Sequence, residues 1–308
     1  MKYLFLACGL LLLPVAAHGQ QKNFNLSYIE DSARYAYTWE GLNRQVYDLN
    51  FSVPIPLLQA SMTDFTAFES FEANQIIAQR VEAKAKQLFP DVDFTMTAMP
   101  GGIKYSASAD KAKAEAAMKK VQEIEREVRD AYIAERYYTY AKENVLMPDH
   151  ARIASIYSQK VQPLAQGLLQ ELPQGASARD VMNLALGFFQ TIPYNTLKDR
   201  YTSSGAGFET PLRMLAENRG DCDTKSVGYL SVLRHYYPDL ALLMVYTPFH
   251  AFVGINIPVQ NGDVAIEVDG LKYVLAEPVG PSLIPLGKVS DESLRELKKG
   301  LYSWRTVP

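Results

Sequence analysis

The chain has 308 residues, of which 48% are apolar and 21% are charged, and its formal net charge at neutral pH is −3. This length is enough for one large domain or two domains of modest size, each with a buried core. The small net charge and the absence of long runs of like charge disfavour a nucleic-acid-binding protein.

The first 19 residues, MKYLFLACGLLLLPVAAHG, place one lysine before an apolar stretch that ends in small residues. This pattern predicts a secretory signal peptide that is cleaved after Ala17 or Gly19. The stretch is too short to predict a membrane span, and Cys8 lies inside it, away from a lipidation position. We therefore expect an exported protein without a membrane span, located in the periplasm or secreted.

Patterns typical of strand and helix alternate in residues 25–146. Aromatic and β-branched residues predict strand structure from Tyr35 to Pro54, and apolar periodicity predicts a helix from Phe71 to Phe89. Two short strands are expected on either side of a Pro-Gly-Gly turn. A long helix should follow from Asp110, its N-cap, to about Glu143. These elements predict a smaller α/β region that ends in a long helix.

Helix patterns followed by strand patterns fill residues 150–290, which predicts the α+β class for this region. The segments ALLMVYT, HAFVGINI, VAIEV and LKYVLAE predict successive antiparallel strands. Asn261-Gly262 predicts a hairpin turn after the second of them. We expect residues 291–308 to form a helical tail.

Cys222 lies between two acids in the stretch NRGDCDTKS, at the predicted start of a helix. After signal cleavage it is the single cysteine of the chain. A helix N-terminus lowers the pKa of a thiol, whereas the carboxylates of Asp221 and Asp223 oppose its ionisation. Asp221 is the expected N-cap, which would direct its carboxylate to backbone N–H groups. Cys222 is therefore either a buried inert residue or a thiol activated by a nearby cation or base.

His250, at the mouth of the strand HAFVGINI, is the candidate base. An imidazole beside a thiol can accept its proton and form a thiolate–imidazolium pair. His235 is expected to interact with a helix C-terminus, and His150, after a Pro-Asp turn, is expected to be solvated.

Such a histidine needs a third group that orients its ring, and Asp269 and Glu277 are the candidates. In a simple meander, the Asp269-Gly270 turn would lie at the His250 end of the sheet. If LKYVLAE pairs directly with HAFVGINI, Glu277 lies beside His250 instead. The sequence leaves both arrangements open.

The segments FETPLRMLAENRGDCDTKS, FHAFVGI and KYVLAEP resemble the core of bacterial transglutaminase-like cysteine peptidases, over about residues 193–280. The resemblance implies a papain-like or transglutaminase-like core of helices packed on an antiparallel sheet. It also implies a triad of Cys222 as nucleophile, His250 as base and Glu277 as orienting acid, although the family usually has aspartate there. The backbone N–H of Cys222 and the side chain of Tyr194 are the expected oxyanion donors, and Asp221 is a supporting residue.

Some members of the family bind calcium through the acids that flank the cysteine, and Asp221 and Asp223 occupy those two positions. Calcium needs six or more oxygen ligands, and the sequence shows no further donors nearby. We therefore expect no metal and no other cofactor.

The predicted function is hydrolysis of an amide bond in a protein or peptide substrate, through a thioester at Cys222. Acyl transfer from a protein glutamine to an amine would use the same residues, with water excluded from the intermediate. A binding protein without catalysis on the same fold is the third hypothesis.

Overall fold

A computed structural model describes residues 21–143, 145–199, 201 and 203–308. The fold is mixed α+β with antiparallel sheets, so the predicted class is confirmed. The predicted signal peptide, residues 1–19, lies outside the described residues. Among the helices of the described ranges, none has the length and apolar character that a bilayer crossing requires.

Groups of strands and groups of helices alternate along the described part of the chain. The strands are β1 (Gln21–Ile29), β2 (Ser32–Glu40), β3 (Val46–Pro54), β4 (Asp93–Met99), β5 (Gly102–Ser108), β6 (Tyr138–Lys142), β7 (Val145–Pro148), β8 (Leu242–Tyr246), β9 (Ala251–Ile255), β10 (Ala265–Val268), β11 (Leu271–Ala276) and β12 (Ser303–Thr306). The helices are α1 (Ile55–Thr63), α2 (Ser70–Leu88), α3 (Lys111–Glu135), α4 (His150–Lys160), α5 (Gln162–Gln170), α6 (Ala178–Thr191), α7 (Pro211–Glu217), α8 (Cys222–Tyr236) and α9 (Asp291–Lys298).

Strands β1, β2 and β3 form an antiparallel sheet at the start of the described chain. The predicted single stretch of strand is β2 and β3, separated by a turn in which Arg44 has φ 65°. Every second residue of β3 is buried, as expected for a sheet with one covered face. The rings of Tyr37 and Trp39 are in T-shaped contact with the ring of Phe188 on α6, at centroid distances of 5.0 and 5.3 Å. This sheet therefore packs directly on the helices of the second region.

The buried apolar side chains form separate clusters that do not follow the predicted division near residues 146–150. One cluster joins the β1–β3 sheet to helices α4 to α8 and to one face of the C-terminal sheet. A second cluster holds α2, α3, β4 and β5 together, and Val81 and Val121 are among its fully buried members. The β1–β3 sheet thus shares its core with the later helices. The domain boundary between residues 146 and 150 stays a prediction.

The long helix predicted from Asp110 to about Glu143 is shorter in the structure. Asp110 is its N-cap, accepting a hydrogen bond from the backbone N–H of Lys113, as predicted. The helix ends at Glu135, and Tyr137 takes a left-handed conformation with φ 60°. The hairpin of β6 and β7 follows, because a left-handed residue stops helix propagation.

The C-terminal sheet is antiparallel, with the strand order β10-β11-β9-β8-β12. Because β11 lies between β9 and β10, the turn at Asn261-Gly262 does not join paired strands, and the predicted hairpin there is wrong. Residues 291–308 are helical only in α9, since β12 then pairs with β8 at the sheet edge. Helix α8 covers one face of the sheet, where the Ser226 hydroxyl donates to the carbonyl of Ala251 at 3.3 Å.

Helix α8 is buried on all sides from Thr224 to Leu233. Gly228 permits this burial, because a Cβ atom there would lie 2.6 Å from a ring carbon of Phe189 and 2.9 Å from the Met214 methyl. Helices α6 and α7 therefore approach α8 closely, and the N-terminus of α8 is fixed from several directions.

Candidate functional site

Cys222 is the first residue of α8, and Asp221 is its N-cap, as the sequence predicts. The Asp221 carboxylate accepts a hydrogen bond of 2.9 Å from the backbone N–H of Thr224. With Thr224 capped in this way, the backbone N–H groups of Cys222 and Asp223 are the first-turn donors that have no acceptor within the helix. The helix start thus brings a thiol and hydrogen-bond donors to one place.

The thiol of Cys222 is neutral in the resting site. Burial first, and then the charges of Asp223 and Asp221, raise its pKa to about 12, while a hydrogen bond from the backbone N–H of Ala251 acts in the opposite direction. The sulfur also lies 3.6 Å from Oδ1 of Asp223. At neutral pH the sulfur therefore carries its proton, and attack on a substrate requires a base.

A buried lysine lies on the same helix, one turn from the thiol. Lys225 is fully buried and its ammonium donates to the backbone carbonyl of Ile192. Burial lowers its pKa to about 8, and the charge of Asp221 acts against that shift. The pKa of Asp221 is raised to about 7 by burial and by Asp223. The sequence analysis did not identify this cation. The feature that could have pointed to it is a lysine within a helix whose neighbouring residues are buried.

The imidazole of His250 lies beside the carboxylate of Glu277, with 3.7 Å between Nε2 and Oε1. The reason is the strand pairing: β11 lies next to β9, with Ala276 opposite Val253, so both side chains reach the same sheet end. Asp269, in the β10–β11 turn with φ 50°, lies at the opposite end of β11. The arrangement in which LKYVLAE pairs with HAFVGINI is therefore the one observed.

The Glu277 carboxylate is buried and held by hydroxyl and backbone donors at the start of α9. It accepts hydrogen bonds from the Ser290 N–H at 2.9 Å, from the Ser290 hydroxyl at 3.1 Å and from the Ser293 hydroxyl. A carboxylate fixed in this way can orient an imidazole through Nε2 and leaves Nδ1 on the other side of the ring. The sequence did not indicate these serines, which lie 13 and 16 residues after Glu277.

The segment after Glu277 is tied to α6 by Gln190, which sequence reasoning also missed. The buried Gln190 amide donates to the carbonyls of Glu277 and Ile284, at 2.8 Å each. Gly280 packs against the same helix so closely that a Cβ would lie 1.9 Å from the Gln190 carbonyl oxygen. These contacts fix the backbone position of the acid.

Tyr194 lies next to the helix start, although its side chain is 54% exposed. Its backbone forms a parallel bridge with Gly220, two residues before Cys222. Burial raises the pKa of Tyr194, and the negative charges of Asp221 and Asp223 act in the same direction. The Tyr194 hydroxyl therefore keeps its proton, and the Tyr194 backbone lies beside the segment that leads into Cys222.

His150 was expected to be solvated, and that expectation is wrong, because its side chain is only 2% exposed. His150 is the first residue of α4. Its imidazole Nδ1 lies 3.0 Å from the Tyr246 hydroxyl, and its Nε2 lies 3.8 Å from Oδ2 of Asp223. Burial lowers its pKa, against the charges of Asp223 and Asp149. A second imidazole thus lies near Cys222. His235 lies in the last turn of α8, as expected.

A cavity of about 380 Å³ adjoins the His250–Glu277 pair. Its wall includes Phe249, whose ring is 86% exposed, and the carboxylates of Glu292 and Glu296 from α9. A recess of this size beside an imidazole is large enough to hold an amino-acid side chain.

Within the residues that the structure covers, no group of three or more His, Cys, Asp or Glu side chains is arranged to hold a metal ion. The carboxylate of Asp221 is engaged by its own helix, in keeping with a capping role.

Comparison of the chain with models of protein families, with curated proteins and with solved structures finds no match.

Proposed function

We propose that this protein is an exported cysteine hydrolase that cleaves amide bonds in peptides or proteins through a thioester at Cys222. His250 is the base and Glu277 orients it. The observation that carries the proposal is the His250–Glu277 pair, with 3.7 Å between Nε2 and Oε1. The pair lies at the end of the sheet where the backbone N–H of Ala251 donates a hydrogen bond to the Cys222 sulfur. The peptide that carries this N–H is the one that links Ala251 to His250.

In the proposed mechanism, Nδ1 of His250 takes the proton from the Cys222 thiol as the sulfur attacks the substrate carbonyl carbon. A carbon–sulfur bond forms, and the carbonyl electrons move to oxygen, where the Cys222 N–H and the Tyr194 hydroxyl stabilise the charge. The imidazolium then protonates the amine as it leaves. Water, deprotonated by the same imidazole, hydrolyses the thioester and restores the thiol.

The high pKa of Cys222 explains why the base must act with the substrate in place. A thiol with a pKa of about 12 forms almost no thiolate alone at neutral pH. The buried Glu277 carboxylate stabilises the imidazolium that appears when the proton moves. Proton transfer and attack are then coupled, and the resting enzyme is protected from adventitious alkylation and oxidation.

Two features support a papain-like or transglutaminase-like core. The nucleophile begins a helix that lies on an antiparallel sheet, and the base and the acid come from two neighbouring strands of that sheet. The quoted segments of the sequence carry the same order of cysteine, histidine and acid. The apolar N-terminal stretch supports export to the periplasm or the medium.

The test is incubation of the purified protein with a complex mixture of peptides, followed by mass spectrometry of the new termini. The comparison is wild type against Cys222→Ala, with Ser231→Ala on the same helix as the matched control. We expect new termini with wild type and the control but none with Cys222→Ala. The same cleavage by Cys222→Ala would refute the proposal. An arm with an added primary amine separates hydrolysis from acyl transfer, because transfer yields a conjugate.

A further inference from the structure

The buried imidazole of His150 faces the carboxylate that lies against the Cys222 sulfur. Asp223 has one oxygen 3.6 Å from the sulfur and the other 3.8 Å from Nε2 of His150. Its carboxylate therefore stands between a thiol and an imidazole. Among the described residues, Nε2 of His150 has no hydrogen-bond partner, although the side chain is almost fully buried. A buried donor of this kind gains free energy when an acceptor moves within reach.

The protonation of this network follows from its surroundings. Burial raises the pKa of Tyr246 far above its ordinary value, so its hydroxyl keeps its proton. Burial keeps His150 neutral, and a neutral imidazole has one N–H and one acceptor nitrogen. With Nδ1 accepting from Tyr246, the proton lies on Nε2 and points toward Asp223. The other tautomer would set a lone pair of electrons against a carboxylate.

We propose that His150 is a positioning residue for the nucleophile: its Nε2–H draws the Asp223 carboxylate away from the Cys222 sulfur when the thiolate forms. The inference rests on the proposed function, because it assumes that Cys222 is the reacting thiol. In the resting site the thiol donates toward Oδ1 of Asp223, which holds the sulfur in its protonated form. Once the proton has gone to His250, thiolate and carboxylate repel each other. A side-chain movement of about 1 Å brings Asp223 within hydrogen-bond distance of His150.

The other charged groups near these side chains have partners of their own, as Arg305 near Tyr246 does in the carbonyl of Tyr140. Asp221 is fixed by the backbone of its own helix, and Lys225 donates to the carbonyl of Ile192. Asp149 is the N-cap of α4 and accepts from the backbone of Arg152. Asp223, in contrast, faces a buried nitrogen, Nε2 of His150, that has no hydrogen-bond partner among the described residues.

The experiment measures the rate at which iodoacetamide alkylates Cys222, read by mass spectrometry of the peptide that contains it, between pH 7 and pH 10. It uses a double-mutant cycle of His150→Leu and Asp223→Asn. We expect His150→Leu to raise the apparent pKa by about one unit, which slows alkylation about tenfold below the midpoint. In the Asp223→Asn background the same substitution should change the rate by less than about twofold, because the charge to be moved is absent.

Two further variants keep the inference testable if His150→Leu does not fold. His150→Gln can place an amide N–H near the position of Nε2, and it should restore most of the rate. Tyr246→Phe removes only the hydroxyl that fixes the tautomer, and it should slow alkylation in the Asp223 background alone. Equal slowing in both backgrounds, or no slowing in either, would overturn the inference.

Failure of this inference is distinguishable from failure of the proposed function. Alkylation reports the thiol without any substrate, whereas peptide cleavage reports the whole site. If cleavage depends on Cys222 but the cycle shows no coupling between His150 and Asp223, only the positioning role is refuted.

Discussion

Replacement of Asp223 by asparagine removes the charge that opposes ionisation of the Cys222 thiol most strongly, while keeping an oxygen acceptor in place. Oδ1 of Asp223 is 3.6 Å from the sulfur, and its side chain is 28% exposed. Two unit charges about 4 Å apart interact with about 1 kcal/mol in water and about 4 kcal/mol at the effective dielectric of a protein surface. Partial exposure favours the lower part of this range. We therefore expect the pKa of the thiol to fall by about one to two units.

The assay is the pseudo-first-order rate of iodoacetamide labelling at Cys222 as a function of pH. Because the pKa of the wild-type thiol is raised to about 12, its rate should increase about tenfold per pH unit through the neutral range, without a plateau. Asp223→Asn should be faster by about 10-fold to 100-fold at every pH below its midpoint. Asp269→Asn, in a distant turn with the same change of charge, is the matched control and should label at the wild-type rate. A wild-type rate for Asp223→Asn, or a plateau between pH 5 and pH 8 in wild type, would refute the electrostatic reasoning.

Three predictions concern the scaffold. Gly280→Ala places a Cβ atom against a backbone carbonyl oxygen of α6, so we expect the unfolding free energy, measured by denaturant titration, to fall by about 1–3 kcal/mol. The control is Gly101→Ala, which has open space around it and should lose less than about 0.5 kcal/mol. Phe188→Ala removes the ring that joins the β1–β3 sheet to the helices, and it should lower the unfolding free energy by about 3–5 kcal/mol while unfolding stays one cooperative transition. Unfolding of that sheet in a separate transition would contradict the shared core. Burial lowers the pKa of Lys225 from 10.5 to about 8, so between these pH values the unfolded state binds more protons than the folded state. The stability of wild type relative to Lys225→Met should therefore increase, on the order of 2 kcal/mol, as the pH rises from 8 to 10.5. A stability difference that is constant from pH 8 to pH 10.5 would show that the ammonium is not desolvated.

Features that depend on neighbouring residues could be predicted from the sequence. The N-cap at Asp221 and the start of α8 at Cys222 follow from residue types within one helical turn, and the structure has both. The strands β8 and β9 were also predicted, since their apolar runs are long enough to be recognised. These local signals were sufficient to select Cys222 and His250 as candidates.

Features that depend on strand order and burial could not be predicted. The choice between Asp269 and Glu277 required the knowledge that β11 pairs with β9, and a sequence does not encode the order of strands in a local pattern. The burial of His150 and Lys225 is likewise decided by distant segments, Tyr246 for the former and Ile192 for the latter. Polar residue types are usually exposed, so propensity alone gives the opposite expectation for both.

The edge strand β12 was missed for a related reason. Its four residues, Ser303–Thr306, are too few for a clear alternation, and its pairing with β8 is a contact over more than fifty residues of chain. The hairpin of β6 and β7 lies where the sequence predicts the end of a long helix, because Ala141, Lys142 and Glu143 are helix-forming residue types.

The central claim is that His250, oriented by Glu277, activates Cys222. The most direct measurement is the rate of thioester formation with an activated ester such as p-nitrophenyl acetate, followed as p-nitrophenol release and as acylation of the peptide that contains Cys222. We expect His250→Ala to slow acylation by about 10²-fold to 10⁴-fold and Glu277→Gln to slow it less, with both variants folded. Acylation of His250→Ala at the wild-type rate would contradict the account.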